Sequence, residues 1–298
     1  MIPATYSTRK APLAGNFSVV FGVGAHRAEG IGISLRVSIL ASGSAGNCTL
    51  LETQRTRLLV DAGLSKKETL RRLELLDLAP GSIDGIVISH EHSDHICGLA
   101  ALIARWRDVT VYLNESTHAA LLRILPERHA KRLQRIEFIQ AGQRFAVGDI
   151  EVAPFLIPHD AVDPLGFTFS AGGVKLGLVT DLGYLPELVK YHIRDCDALM
   201  LESNHDLEML KVGPYPWHIK QRVMSRTGHL SNETVSQFFA DPEGFDARPR
   251  YVVLAHLSEN NNNPDVARIS AEEALRRRSF PGELLIASQH QPLPTIQL

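Results

Sequence analysis

The segment His90-Glu91-His92-Ser93-Asp94-His95 sets three imidazoles and two carboxylates within six residues. Histidine and aspartate are costly to bury unpaired, and an apolar run, Ile86-Val87-Ile88, leads directly toward them. A strand that delivers such a cluster at its end points to a metal site. His90 and His92 are two apart, so an extended segment turns both to one side. Asp94 and His95 follow where a helix should begin, and adjacent side chains diverge there. The four residues therefore serve two neighbouring metals better than one. Glu91 is expected to point away from them into solvent.

The missing ligands should come from other strand ends. His159 follows Phe155-Leu156-Ile157-Pro158, Asp181 follows the largely apolar run Leu176 to Val179, and His256 follows Tyr251-Val252-Val253-Leu254-Ala255. All three share the setting of the first cluster. A carboxylate has two oxygens to share, which suits Asp181 to bridge two ions. Asp61 ends the strand Leu58-Leu59-Val60. It can orient a ligand histidine by accepting its second ring N–H, or it is simply a turn residue before Gly63.

The elements that must position these residues read as follows. Strands are expected at 36–40, 48–52, 57–60, 83–89 and 109–113, the second and third forming a hairpin. Ser65 is a suitable N-cap for a helix to about Leu76. A second helix is expected over 94–106, with Leu99, Leu102, Ile103 and Trp106 on one face, and a third from Ser116. Later strands fall at 151–156, 167–170, 174–180, 198–202 and 251–254, with helices near 187–192 and 272–278. Mixed strands with helices outside them imply two sheets packed together inside helical layers. No Pro/Gly/Ser-rich linker divides the chain, so residues 35–298 read as one domain. Residues 1–34 read as an extension outside it, a disordered tail or an artefact of start-site assignment.

The chain has 298 residues, 44% of them hydrophobic and 21% charged, with a net charge of −2. Such a composition belongs to a soluble globular protein and does not advertise a polyanion binder, so any such site rests on a local basic patch. The three cysteines, Cys48, Cys97 and Cys196, show no paired spacing and read as reduced thiols of a cytoplasmic protein. No stretch approaches the ~20 apolar residues of a membrane span. The patch Phe17 to Val23 is too short and Gly-interrupted for a secretory signal.

Taken with Ser42 to Asn47, Asp61-Ala62-Gly63, His159-Asp160-Ala161-Val162-Asp163-Pro164, Thr180-Asp181-Leu182-Gly183, Glu202-Ser203-Asn204-His205-Asp206, Gly228-His229-Leu230-Ser231-Asn232 and His256-Leu257-Ser258, the ligand pattern resembles the metallo-β-lactamase fold superfamily. Within it, the chain is similar to the YycJ/WalJ branch of bacterial single-domain proteins, associated with 5′→3′ exonuclease activity on DNA. The resemblance covers roughly residues 35–298 and implies an α/β fold, a four-layer αββα sandwich with mixed sheets and a dinuclear site along the sheet edges. It implies one metal held by His90, His92 and His159, a second by Asp94, His95 and His256, and Asp181 between them. No inserted second domain of the larger nucleases is recognisable.

The resemblance also gives His229 a role in protonating the leaving oxygen or binding the scissile phosphate, with Glu202 as its orienting carboxylate. Asp94, Asp181 and His229 are thus the residues assigned to the chemistry itself, and His205 is a candidate substrate contact. The loop holding Ser44 and Asn47 can present N–H groups to a phosphate, or it is an ordinary tight turn. Arg123, Arg128, Lys131, Arg132 and Arg135 read as a solvated helix face. His218, Lys220, Arg222 and Arg226 lead into His229, and Lys220 and Arg222 are candidate phosphate contacts. Two divalent ions, Zn²⁺ by the nitrogen-rich donor set or Mn²⁺ by the carboxylates and a hard phosphate, would acidify a shared water for in-line attack. The expected activity is a DNA phosphodiesterase. The alternative is a hydrolase of small esters, thioesters or lactams, which would need an apolar pocket. The apparently complete ligand set argues against a non-catalytic binding module. No obligate protein partner and no membrane contact are inferred.

Overall fold

The computed structural model describes residues 35–79 and 81–298. The reading of residues 1–34 as an extension lies outside the described residues. In the first half, β1 (Arg36–Ala41), β2 (Cys48–Glu52) and β3 (Arg57–Val60) form an antiparallel meander. Helix α1 (Lys66–Leu75) then leads to β4 (Gly85–Val87), α2 (Ser93–Ile96), α3 (Leu99–Arg105), β5 (Thr110–Leu113), α4 (Glu115–Ile124), α5 (Glu127–Ala130) and β6 (Ile136–Phe138). The second half runs β7 (Phe145–Val147), β8 (Ile150–Leu156), β9 (Leu165–Ala171), β10 (Val174–Val179), α6 (Glu187–Ile193), β11 (Ala198–Glu202), α7 (Leu207–Val212), α8 (Trp217–Val223), α9 (Asn232–Ala240), β12 (Tyr251–Ala255), α10 (Pro264–Arg277) and β13 (Glu283–Ile286). A last strand, β14 (Ile296–Gln297), follows.

The strand orders are β14-β1-β2-β3-β4-β5-β6 and β13-β12-β11-β10-β9-β8-β7. Each sheet is antiparallel through its hairpins and turns parallel where helical crossovers intervene, from β3 to β6 and from β10 to β13. The two halves thus share one plan, and β14 returns antiparallel to β1.

Residue alternation builds the four layers. Along β3, Leu58 and Val60 face the inter-sheet core while Leu59 faces the helices; along β11 and β12, Met200 and Val253 face inward while Leu199, Leu201, Val252 and Leu254 face outward. Both faces of each central strand are therefore apolar, which is why these strands read as continuous hydrophobic runs. Phe167 and Phe169 fill the space between the sheets. Leu99, Leu102 and Leu121 cover the first sheet from outside, and Val235, Phe239 and Ala271 cover the second. Each large side chain so buried contributes about 1.5–3 kcal/mol. The result is the αββα sandwich.

Strands β6, β7, β13 and β14 and helices α5, α7, α8 and α9 were not expected, and three of the expected elements have other limits. The strand expected over 83–89 pairs only as β4, because beyond it the Ser89 N–H is taken by the Asp61 carboxylate at 2.8 Å. The helix expected over 94–106 breaks into α2 and α3, because Gly98 N–H turns to Ala62 O at 2.8 Å. Helix α10 starts eight residues before the expected 272, capped by Asn263 with Pro264 in its first turn.

Candidate metal centre

The expected ligands and their supporting carboxylates gather at the C-terminal ends of strands, with Asp94 and His95 in α2 after β4. Asp61 follows β3, His90 follows β4, His159 follows β8, Asp181 follows β10 and His256 follows β12, while Glu202 is the last residue of β11. Asp61, Asp181 and His256 have φ of 59°, 63° and 53°. This left-handed conformation costs a non-glycine residue roughly 1–2 kcal/mol. Here neighbouring groups hold it. His256 N–H donates to Ser42 Oγ at 2.9 Å, and its carbonyl accepts from Asn204 Nδ2 at 2.9 Å. The His90–His95 segment is fixed equally tightly. Its Asp94 and His95 carbonyls accept from Asn47 N and Ala62 N, each at 2.7 Å. A Cβ on Gly63 would stand 1.7 Å from Asp94 O, so only glycine permits this approach.

The ring protons follow from the partners. A carboxylate only accepts, so His95 Nδ1 donates to Asp61 Oδ2 at 2.8 Å and His256 Nδ1 donates to Glu202 Oε1 at 3.0 Å. His159 Nδ1 donates to Gly228 O at 3.2 Å. Ser89 Oγ gives its proton to Asp61 and accepts from His90 Nδ1 at 3.0 Å. With Nδ1 so committed, each of these four rings turns Nε2 inward, the nitrogen that would give its lone pair to a metal.

Beyond the Asn47 amide, whose Nδ2 lies 3.1 Å from His95 Nε2, these nitrogens meet further acceptors. His95 Nε2 is 3.3 Å from both Asp94 Oδ2 and Asp181 Oδ2, and His256 Nε2 is 3.4 Å from both Asp94 Oδ2 and Asp181 Oδ1. His159 Nε2 is 3.2 Å from His92 Nδ1. His90 Nε2 and Asp181 Oδ2 are buried with no hydrogen-bond partner. Donors about 2.0–2.1 Å from one tetrahedral ion stand about 3.3 Å apart, so this spacing fits cations. The donor atoms of His90, His92 and His159, and those of Asp94, His95, Asp181 and His256, form two groups, each within 4.8 Å. The electrostatics agree. Burial opposes charge on His95, yet Asp61, Asp94 and Asp181 hold it well above its ordinary pKa. Burial likewise opposes the Asp94 and Asp181 charges, but the surrounding histidines hold both carboxyls well below theirs. Burial, with the neighbouring His95, pushes His90 well below the usual imidazole value.

Glu202 is buried with all its capacity engaged. Oε1 accepts from His229 Nδ1 at 2.8 Å as well as from His256, and Oε2 accepts from Leu182 N at 3.1 Å and Leu230 N at 2.9 Å. Burial resists its charge, but His229 and His256 hold its pKa down to about 2. Burial also resists charge on His229, and Glu202 outweighs it, so this imidazole is raised. With Nδ1 committed to Glu202, Nε2 is the nitrogen His229 can offer to the cleft it lines.

That cleft has a volume of about 290 Å³ and is lined by Ser44, His92, Ser93, Asp94, His159, Asp181, Arg222, His229 and His256. Arg222 is tied through Nε to Asp160. Three expected substrate contacts lie elsewhere. Asn47 is buried, and its amide donates to Gly43 O and Asp94 Oδ2, each at 3.1 Å; it positions the metal segment. Lys220 is buried, with Nζ donating to Lys211 O at 2.7 Å. His205 is 1% exposed in an isolated bridge with Ser231. Glu91, expected in solvent, accepts from Val162 N at 2.9 Å and ties the His segment to the loop after His159. Spacing gave no sign of Ser89 as the shared support of His90 and Asp61, nor of Ser93 in the cleft wall. Glu202 was expected beside His229; its second bond, to His256, was not. The cysteines are free. Among the described residues, no helix is long and apolar enough to cross a membrane.

Comparison with known proteins agrees with this geometry. The family described as "Beta-lactamase superfamily domain" matches residues 56–257. Exodeoxyribonuclease YycJ of Bacillus anthracis is 40% identical over 248 residues, covering 83% of this chain and 92% of the relative. Exodeoxyribonuclease WalJ of Streptococcus pneumoniae is 37% identical over 243 residues, covering 80% and 87%. The metallo-β-lactamase fold protein YhfI of Bacillus subtilis superposes with a TM-score of 0.65 at 18% identity, covering 87% of this chain and 99% of its own. The chain belongs to the metallo-β-lactamase fold superfamily, a class of metal-dependent hydrolases. Within it, the chain groups with the YycJ/WalJ proteins.

Proposed function

We propose that this protein is a DNA phosphodiesterase, an exonuclease of 5′→3′ polarity. The observation that carries the proposal is the cleft itself: its lining residues are all polar or charged, with Arg222 and His229 beside the donor cluster. A small ester or lactam would call for apolar walls, and none line it. The two relatives' names, exodeoxyribonuclease, support DNA as the substrate.

In this reading His90, His92 and His159 would hold one divalent ion and Asp94, His95 and His256 a second, with Asp181 available to either. Zn²⁺ suits the nitrogen-rich set best, and Mn²⁺ is the alternative. When bound, such ions supply Lewis-acid polarisation at phosphorus and acidify water near neutral pH. The protein's own groups do the rest. Asp61, Ser89, Gly228 O and Glu202 hold the ligand rings in one tautomer. Arg222, with donors beyond the one given to Asp160, and Ser44 bind non-bridging phosphate oxygens. His229, kept protonatable by Glu202, delivers a proton from Nε2 to the leaving oxygen.

The test is incubation of metal-loaded protein with end-labelled single-stranded, duplex and RNA substrates, beside an ester and a lactam. Nucleotides released from the 5′ end of DNA are expected, and selective turnover of the ester or lactam would overturn the reading. His92→Ala or Asp94→Ala should abolish hydrolysis with the circular dichroism spectrum retained. His229→Ala should lower turnover about 10²–10⁴-fold at unchanged metal content; loss of metal would make His229 a ligand.

A further inference from the structure

The turn joining α7 to α8 carries apolar surface that the proposed chemistry does not use. Residues 212–217 read Val-Gly-Pro-Tyr-Pro-Trp. Val212 is 84% exposed and Trp217 is 63% exposed. Exposed large apolar side chains close together in the chain can mark contact surfaces.

The turn is firmly built. A Cβ on Gly213 would stand 2.4 Å from Asn261 Oδ1 and 2.7 Å from Met209 O. The Tyr215 hydroxyl accepts from Asn260 Nδ2 at 3.3 Å. Lys220 reaches back through the interior to Lys211 O at 2.7 Å, closing α7 onto α8. Pro214 and Pro216 fix their own φ. The indole is thus displayed from a rigid support, at little further cost in order on binding.

The position of this support selects its occupant. Trp217 opens α8, and Arg222 on the same helix lines the cleft. Five residues separate them, about 7.5 Å along the helix axis and about 140° around it, so they flank the exposed face of α8 that His218 and Gln221 occupy. The α8 sequence Trp-His-Ile-Lys-Gln-Arg-Val contains no acid, and just past it Arg226 lies 4.1 Å over the Tyr184 ring. A strand leaving the cleft across the exposed face of α8 therefore meets the Arg222 guanidinium and then an exposed aromatic face. Single-stranded nucleic acid alternates phosphates with π faces in this way, and non-specific binders answer it with cations and stacking platforms.

We propose that Trp217 is a stacking platform for a base of single-stranded DNA that lies a few nucleotides from the phosphate held in the cleft. This rests on the phosphodiesterase reading for the identity of the cleft's ligand, but it is tested by binding and not by hydrolysis. The chain has two tryptophans. Trp106 is 5% exposed, so a ligand-induced change in indole fluorescence reports on Trp217.

The experiment titrates metal-loaded protein with a single-stranded phosphorothioate oligothymidylate, which resists cleavage. Quenching is expected. Trp217→Ala should abolish the quench and weaken binding at least about fivefold, the low end of what one base–aromatic stack is worth. Trp217→Phe should retain most of the affinity, and the penalty of the alanine variant should shrink for a dinucleotide too short to reach the platform. Absence of quenching, or equal affinity of wild type and Trp217→Ala for the oligomer, would overturn the proposal. So would self-association of the wild type abolished by the variant, which would assign the surface to a second copy of the chain. Binding and quenching without cleavage of an unmodified strand would sink the nuclease reading and leave the platform standing. Cleavage without quenching would do the reverse.

Discussion

A single carboxylate, Glu202, supports two imidazoles of different purpose. One oxygen accepts from His256 and from His229, and the other accepts from two backbone N–H groups. A glutamine in its place brings an NH₂ where only acceptors are wanted, so donors face donors whichever way the amide is turned. Glu202→Gln should therefore lower metal affinity about 10–100-fold, as loss of an orienting partner does. It should also cost about 1–3 kcal/mol of stability for the unsatisfied groups. Metal titration and thermal melts of the variant would check both; unchanged affinity would mean that His256 is oriented by Asn204 alone. Residue identity and strand-end position were enough to mark the donor set in the sequence. They were not enough to separate residues that face the cleft from those that face inward. Asn47, Lys220 and His205 lie close to the right motifs and are polar, yet all three are buried. A one-dimensional pattern gives proximity along the chain, and burial depends on which other strands arrive.

At the scale of elements, the centre depends on two close approaches of backbone to backbone. Gly63 lies against Asp94, and a Cβ on Gly98 would meet Leu64 O at 1.9 Å. Together they clamp the loop after β3 onto α2 and the break before α3. Gly63→Ala cannot be relieved by moving a flexible side chain, because the obstacle is the carbonyl of a proposed ligand residue. It should displace Asp94 and His95, empty the site of metal and destabilise the fold by more than about 4 kcal/mol, in the range reserved for a few severe mechanisms. Denaturant unfolding and metal analysis of the variant would test this, and full metal content would disprove the clamp. The same contact explains which elements were legible. The strands β1–β3, β5 and β8–β12 carry long apolar runs or hairpin signals and were read close to their true limits. The 94–106 helix was misread as continuous because its apolar face persists across Gly98, whose N–H is diverted by a loop more than thirty residues earlier. Strands β6, β7, β13 and β14 have four residues or fewer, too short for a period-two pattern to show.

Over the whole molecule, the donor set is divided between two halves that are otherwise held together by an apolar seam. The first sheet supplies His90, His92, Asp94 and His95, and the second supplies His159, Asp181 and His256. Any cation bound by both groups joins the sheets at the edge where their strands end, and the seam of Val37, Ile39, Phe167, Phe169 and Val253 joins them behind it. Removing metal should therefore loosen one rim and leave the core closed. Binding at metal concentrations about 1,000-fold above Kd contributes about 4 kcal/mol, on the order of 8 °C in melting temperature at the low end for a domain of this size. Chelation should lower the melting temperature by at least that order. It should also speed amide hydrogen exchange in the rim segments, residues 42–47, 90–98, 158–164, 181–183 and 228–231, while the centres of β2, β9 and β11 keep their protection. Uniform acceleration through both sheets would show instead that the cations support the seam itself. No acceleration anywhere would show that the rim is closed by the hydrogen bonds from Asp61, Asn47 and Glu202 alone, and that the donors stand ready for metal before any arrives.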